Sequence, residues 1–144
     1  MENLKKISKL NKGICGEYAA CSELLKRGYI ARITEGNAKG VDIIIFKEDK
    51  TFRKIEVKTT TEKKCITGFF QKYYDKNNPN HPDYWILVHI DENLINHYYI
   101  LTHNEMALVQ MKKNKMTTWQ KIVGVDGVLI SEVKDYENRW DILL

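Results

Sequence analysis

Val41-Asp42-Ile43-Ile44-Ile45-Phe46 and, one short loop later, Thr51-Phe52-Arg53-Lys54-Ile55-Glu56-Val57-Lys58-Thr59 are the segments that decide the fold of this 144-residue chain. The first is its most hydrophobic run, the second reads as a longer strand, and Lys47 to Lys50 have the length of a hairpin loop. Side chains alternate along a strand, so Glu56 and Lys58 share one face while Ile55 and Val57 share the other. Aspartate is a poor strand former, yet Asp42 opens the hydrophobic run. If the two strands pair, Asp42 and Glu56 come close together. Two ionised carboxylates ~4 Å apart repel by about 4 kcal/mol at an effective dielectric of about 20. A fold tolerates that with a cation between them. Mg²⁺ suits such oxygen ligands and keeps several waters, with Mn²⁺ as a substitute. Lys58, on the face of Glu56, is placed to neutralise a phosphate and to orient or deprotonate an attacking water.

Outward from that hairpin, Ile14, Tyr18, Cys21 and Leu25 recur at helical spacing, which predicts a helix from Asn11 to about Arg27 stopped by Gly28. Glu17 falls beside Ile14, Cys21 and Leu24, on or next to the expected buried stripe. A carboxylate there is costly unless paired, neutralised or metal-bound. Tyr29 to Thr34 reads as a strand, followed by the loop Glu35-Gly36-Asn37-Ala38-Lys39-Gly40. Downstream, Phe69, Phe70, Tyr73 and Tyr74 share a helical face, and Asp75 to Pro82 is loop. Tyr84 to Ile90 and His97 to Leu101 form a second hairpin-like pair. Thr102-His103-Asn104-Glu105 has the capping-box form and opens a helix through about Lys113. Gly127 to Val133 looks strand-like. The expected order is helix, three strands, helix, two strands, helix: a mixed α/β domain.

Length bounds the chain to a single domain, residues 1–144, large enough to bury roughly 68–70% of its unfolded surface. No run of about 18 apolar residues is present, so no membrane-spanning helix is expected. Met1 to Leu10 is polar and Lys-rich without a signal-peptide core, so the expected location is cytoplasmic. Cys15, Cys21 and Cys65 form no CxxC pair and are read as reduced thiols. The net charge of +4 permits a polyanionic partner without demanding one. Lysines cluster at Lys5, Lys6, Lys9 and Lys12, at Lys63 and Lys64, and at Lys112, Lys113 and Lys115, which are equally solvated faces. His81, His89, His97 and His103 show no zinc-binding spacing; His81, in a loop, is the one placed to approach a substrate.

Each of these residues also has a plain structural use. Glu17 sits near a helix N-terminus, where the macrodipole favours negative charge. Asp42 could cap the turn that precedes it, and Glu56-x-Lys58 could be a solvent-facing strand edge. The joint pattern is rarer: a carboxylate on a helix's inner face, an Asp on the following hydrophobic strand, then Glu-x-Lys on the next.

That ordered set resembles the PD-(D/E)XK nuclease superfamily, over about Lys12 to Ile90. Asp42 stands as the family's first-motif Asp and Glu56-Val57-Lys58 as its (D/E)xK. Gly13-Ile14-Cys15-Gly16-Glu17 and Ile55-Glu56-Val57-Lys58-Thr59-Thr60 are similar to the archaeal Holliday-junction resolvase branch, in which Glu17 matches a helix carboxylate. Val41 replaces the motif Pro, and Gly36-Asn37-Ala38-Lys39-Gly40 lacks the serine usual in resolvases. The resemblance implies a restriction-endonuclease-like core, with a mixed central sheet flanked by helices. It also implies a metal held by Asp42, Glu56 and the Val57 carbonyl, with Glu17 close by.

The expected activity is therefore metal-dependent hydrolysis of DNA phosphodiesters. Asp42, Glu56, Lys58 and Glu17 are the catalytic candidates, and the products would carry 5′-phosphate and 3′-hydroxyl ends. Lys39, Gln71, Lys72 and Tyr73 are candidates for substrate contact. Gln71 resembles a glutamine that some branches place after the lysine, and Lys72 and Tyr73 are of the types that hold phosphates or stack on bases. A homodimer would set two sites on two strands. The other readings are a catalytically inactive module that binds DNA or a protein, and a structural ion-pair network among the same four residues.

Overall fold

The computed structural model describes residues 7–34 and 41–143. Lys39 and the loop around it, and Lys5 and Lys6, lie outside the described residues. Helix α1 spans Lys9–Lys26; Ser8 caps it by accepting from Asn11 N, and Gly28, at a φ of 88°, turns the chain out of it. Its buried residues are Gly16, Ala20, Cys21 and Leu24. The stripe expected from the apolar pattern is thus rotated: Ile14, Tyr18 and Leu25 are 40%, 66% and 49% exposed. Clearance explains the rotation. A Cβ at Gly16 would collide with Thr59 Oγ1 and lie 2.9 Å from Thr59 Cβ, so the helix settles on its smallest residues to approach the sheet.

Strands β1 (Ile30–Ile33), β2 (Ile43–Phe46) and β3 (Phe52–Thr60) form an antiparallel meander in which Ile43 pairs with Ile55 and Phe46 with Phe52. The β2–β3 loop closes through Lys47 N donating to Thr51 O at 2.8 Å. After β3 the chain passes through β4 (Lys64–Ile66) and the single-turn helix α2 (Phe69–Lys72) before β5 (Tyr84–Ile90). The last of these lies parallel to β3, with Ile55 opposite Tyr84 and Thr60 opposite His89. Strand β6 (Asn96–Thr102) returns antiparallel to β5, giving a five-stranded mixed sheet in the order β1-β2-β3-β5-β6. Helix α3 (His103–Lys113) follows at once, and the expected capping box is present in both directions between Thr102 and Glu105.

The C-terminal third departs from its sequence pattern. Only Gly127–Leu129 is strand, β7, paired with β4 in a separate two-stranded sheet. Once that partner ends, the chain winds into a 3-10 helix, Ile130–Tyr136, which carries Val133 into the core. A second short 3-10 segment, Trp140–Ile142, closes the chain.

The sheet thus buries two apolar layers. Ala20 and Leu24 of α1 meet Ile43, Ile45, Ile55, Val57, Ile86 and Ile100 on one face. On the other, Phe69, Phe70, Tyr73, Trp85, Leu101, Met106 and Val128 form an aromatic-rich cluster. His103 belongs to this second layer: it stacks on Phe69 with ring centroids 4.5 Å apart and accepts from Trp85 Nε1 at 3.1 Å. Burial, assisted by His81, holds its pKa down to about 3. No helix among the described residues is long and apolar enough to cross a membrane.

Two tests follow from this packing. Gly16→Ala should lower stability by about 1–3 kcal/mol through overpacking, against a helix-propensity gain of about 1 kcal/mol. Gly13→Ala, with nothing within 4 Å of its added Cβ, should keep that gain. Urea unfolding midpoints of the two variants should move in opposite directions, and equal shifts would contradict the close approach at Thr59. His103 should also make folding acid-sensitive. The unfolded imidazole takes its proton as pH falls through about 6.5, while the folded one does not until near 3, so stability is lost across that window. Between pH 7 and pH 5 the wild type should lose more stability than His103→Gln; parallel losses would exclude the buried imidazole as the cause.

Candidate active site

Asp42 precedes β2 yet remains in its ladder, with its backbone N donating to Ile55 O at 2.9 Å. Beyond that point β3 continues to Thr60 with no β2 partner. The side chain of Asp42 takes up the first vacated position: Oδ2 accepts from Val57 N at 2.8 Å. Within an antiparallel pair a residue's N–H and C=O face the same neighbour, so the Val57 carbonyl opens toward the same gap. Here the sheet splits, and a cleft of about 840 Å³ lies in the split, lined by Glu17, Asp42, Glu56, Val57 and Lys58. Lys9 and Lys12 of α1, with Lys64 and Lys72, add to its wall, so five lysines stand among four carboxylates, the fourth being Glu62.

Glu56 is the buried member, 3% exposed. Tyr73 donates its hydroxyl to Glu56 Oε2 at 3.0 Å, while Lys58 Nζ and Lys72 Nζ stand 3.5 and 4.0 Å from Oε1. Burial raises the Glu56 carboxyl above its ordinary range, and the two lysines and the tyrosine oppose that rise. Burial likewise raises Tyr73, strengthened by the neighbouring Glu56 charge, so this hydroxyl stays a donor. Glu17 reaches the cleft from α1. Its carboxyl is raised by partial burial, then by the charge of Asp42 and by a hydrogen bond with it, while Lys58 lowers it. A cation between the two carboxylates would offset their mutual repulsion.

Of the substrate candidates, Lys72 lines the cleft beside Glu56. Tyr73 does not offer a surface to a base: it is 3% exposed and its hydroxyl is engaged by Glu56. The Gln71 side chain is held away by the Gly124 carbonyl, to which Nε2 donates at 2.7 Å. Its backbone N donates to Asp126 Oδ2 at 2.9 Å. Asp126 is fully buried and also accepts from Gln110 Nε2, while Gln110 Oε1 accepts from the Thr67 hydroxyl. That network fixes α2, and through it Tyr73 and Lys72, against Glu56. Sequence pattern alone gave no hint of it, because Thr67, Gln110 and Asp126 lie on three separate segments.

Among the described residues, no group of three His, Cys, Asp or Glu side chains is arranged to hold a metal ion. Mg²⁺ asks for less: one or two carboxylates, with waters and substrate phosphates completing its shell. The hard oxygen donors of Asp42, Glu56 and the Val57 carbonyl meet that requirement.

Neither a family model nor a curated protein sequence matches the chain. Among solved structures, the fold is similar to that of a bacterial homing endonuclease, I-Ssp6803I, with a TM-score of 0.59 and 16% sequence identity, covering 96% of this chain and 93% of that one. At that identity the likeness concerns the fold, and the chain has a nuclease-like architecture.

Tyr73→Phe tests the support of Glu56. Removing a donor from a buried carboxylate should cost about 1.5–3 kcal/mol in urea unfolding. The loss should largely vanish in a Glu56→Gln background, where no charge needs the donor. Equal losses in both backgrounds would show that Tyr73 acts through packing alone.

Proposed function

We propose that the chain is a metal-dependent nuclease of the PD-(D/E)XK type that hydrolyses DNA. One observation carries this reading: Asp42, Glu56 and Lys58, from two adjacent strands, line a single cleft with Glu17 at the point where the sheet opens. Asp42, Glu56 and the Val57 carbonyl would hold Mg²⁺, and Glu17 would lie beside it. The metal, when bound, supplies a Lewis acid that offsets charge on a phosphate's nonbridging oxygens. Lys58 is 32% exposed along its side chain and, among the described residues, forms an ion pair with Glu56, so its ammonium can reach a phosphate or a water beside it. Lys72 adds a second positive charge at the same wall, and Lys9, Lys12 and Lys64 extend the positive field along it. Tyr73 and the Asp126 network hold Glu56 in place rather than touching substrate. A homodimer setting two clefts on the two strands of a duplex fits a chain of this size.

The five lysines of the cleft wall also suit a second reading, a nuclease-fold module that binds DNA without cutting it. Metal binding separates the two.

Asp42→Ala, Glu56→Gln and Lys58→Ala should each slow Mg²⁺-dependent cleavage of duplex, branched or single-stranded DNA by on the order of 10²–10³, with circular dichroism unchanged. Calorimetry should show Mn²⁺ binding to wild type, lost in Asp42→Ala. Metal ligation needs ionised carboxylates, so that affinity should fall as pH drops into the carboxylate range, the raised Glu17 and Glu56 being the first to take up protons. A wild type that binds no Mn²⁺ and cuts none of these substrates leaves the binding module as the correct reading.

A further inference from the structure

A second cavity, of about 480 Å³, lies at the far end of α2 and is lined by Lys76, His81, Asp83, His103, Asn104 and Trp119. Its aromatic wall is continuous. His81 stacks on His103 with centroids 4.6 Å apart, and Trp119 lies 5.9 Å from His103. Lys76 Nζ sits 5.3 Å from the centre of the Trp119 ring.

The hydrogen bonds behind this wall fix what it offers. His81 Nδ1 lies 2.8 Å from the Pro82 carbonyl, which can only accept, so Nδ1 carries a proton and the neutral ring keeps a lone pair on Nε2. Trp85 Nε1 can only donate, so His103 Nδ1 accepts from it and the neutral ring carries its proton on Nε2. Among the described residues, neither Nε2 has a hydrogen-bond partner, and the Asn104 amide has none either. With both rings neutral, the cavity therefore presents an unused acceptor, an unused N–H and an amide that offers both, beside the partly exposed rings of His81 and Trp119.

We propose that this cavity receives a single unstacked nucleobase of the strand bound in the cleft, a reading that rests on the nuclease assignment. A base edge carries donors and acceptors together, as this lining does, and its face stacks on aromatic rings. A phosphate carries acceptors alone and, although Lys76 would attract it, would meet the Asp83 carboxylate and leave the aromatic rings unused. Pockets that take one displaced base combine the same elements, stacking walls and hydrogen bonds to the base edge. The position agrees: Lys72 lines the cleft and Lys76 lines the cavity, and the chain between them spans at most about 14 Å. At roughly 3.4 Å per nucleotide along a strand, that is no more than about four nucleotides.

Nuclear magnetic resonance on the full chain, following the Trp119 indole and the His81 and His103 rings, tests this with two probes: the four nucleosides and inorganic phosphate. Nucleosides should move these signals, one more than the rest, and phosphate should not. Asn104→Ala and Lys76→Ala, both at exposed positions, should weaken nucleoside binding by on the order of tenfold and leave Mn²⁺ binding at the cleft unchanged. In DNA cleavage, the same variants should lose a base preference within a few nucleotides of the cut. Signals moved by phosphate and not by nucleosides overturn the proposal. So does wild-type cleavage with no nucleoside response, which leaves the nuclease assignment standing. Nucleoside binding in a protein that cuts no DNA supports the cavity and overturns the nuclease assignment alone.

Discussion

A carboxylate that is 3% exposed, Glu56, is the group around which the molecule is arranged. Burying a charge is costly unless it is paired and hydrogen-bonded. Tyr73 donates to one oxygen while Lys58 and Lys72 face the other. Lys58 comes from the same strand, two residues on, and needs no further organisation. Tyr73 and Lys72 come from α2, a single turn too short to stand alone. Its stability is supplied from elsewhere, by Asp126 at its N-terminal side and by the aromatic layer of Phe69, Trp85 and Trp119. The segment after α3 thus reaches the site through two intermediates.

The opposite side of the sheet solves a different problem. Glu17 must approach Asp42, and for that α1 must lie close to β3. The small residues Gly16 and Ala20 permit it, and the cost falls on Thr59, whose hydroxyl is buried without a hydrogen-bond partner among the described residues. The exposed Ile14 and Tyr18 are the other consequence of that choice of face.

Local signals in the sequence were the reliable ones. The β2–β3 hairpin, the shared face of Glu56 and Lys58, the Thr102–Glu105 capping box and the loop before Tyr84 all depend on neighbours within a few residues. What escaped depends on clearance or distance. Hydrophobic periodicity weighs Ile14, Tyr18 and Leu25 by their apolar character and cannot know that a strand comes too near for them. Strand β4 is three residues with no long alternation, and it exists because Gly127–Leu129 lies beside it. Gln71 and Tyr73 carry the residue types of substrate contacts, but Gly124 and Glu56 engage them first. The fold class was therefore legible, and so was the meeting of Glu17, Asp42, Glu56 and Lys58 in one cleft, while the supports of that cleft were not.

The β4–β7 pairing has a consequence in time as well as space. The carboxylates of the cleft belong to a tight hairpin, a contact of low sequence separation that closes quickly. Gly127–Leu129 and Asp126 are reached some sixty residues after β4, and loop closure over that span is slow by comparison. During synthesis, the chain thus displays Asp42, Glu56 and Lys58 well before α2 is anchored. The setting that buries Glu56 therefore depends on a long-range contact made by residues that never touch the cleft.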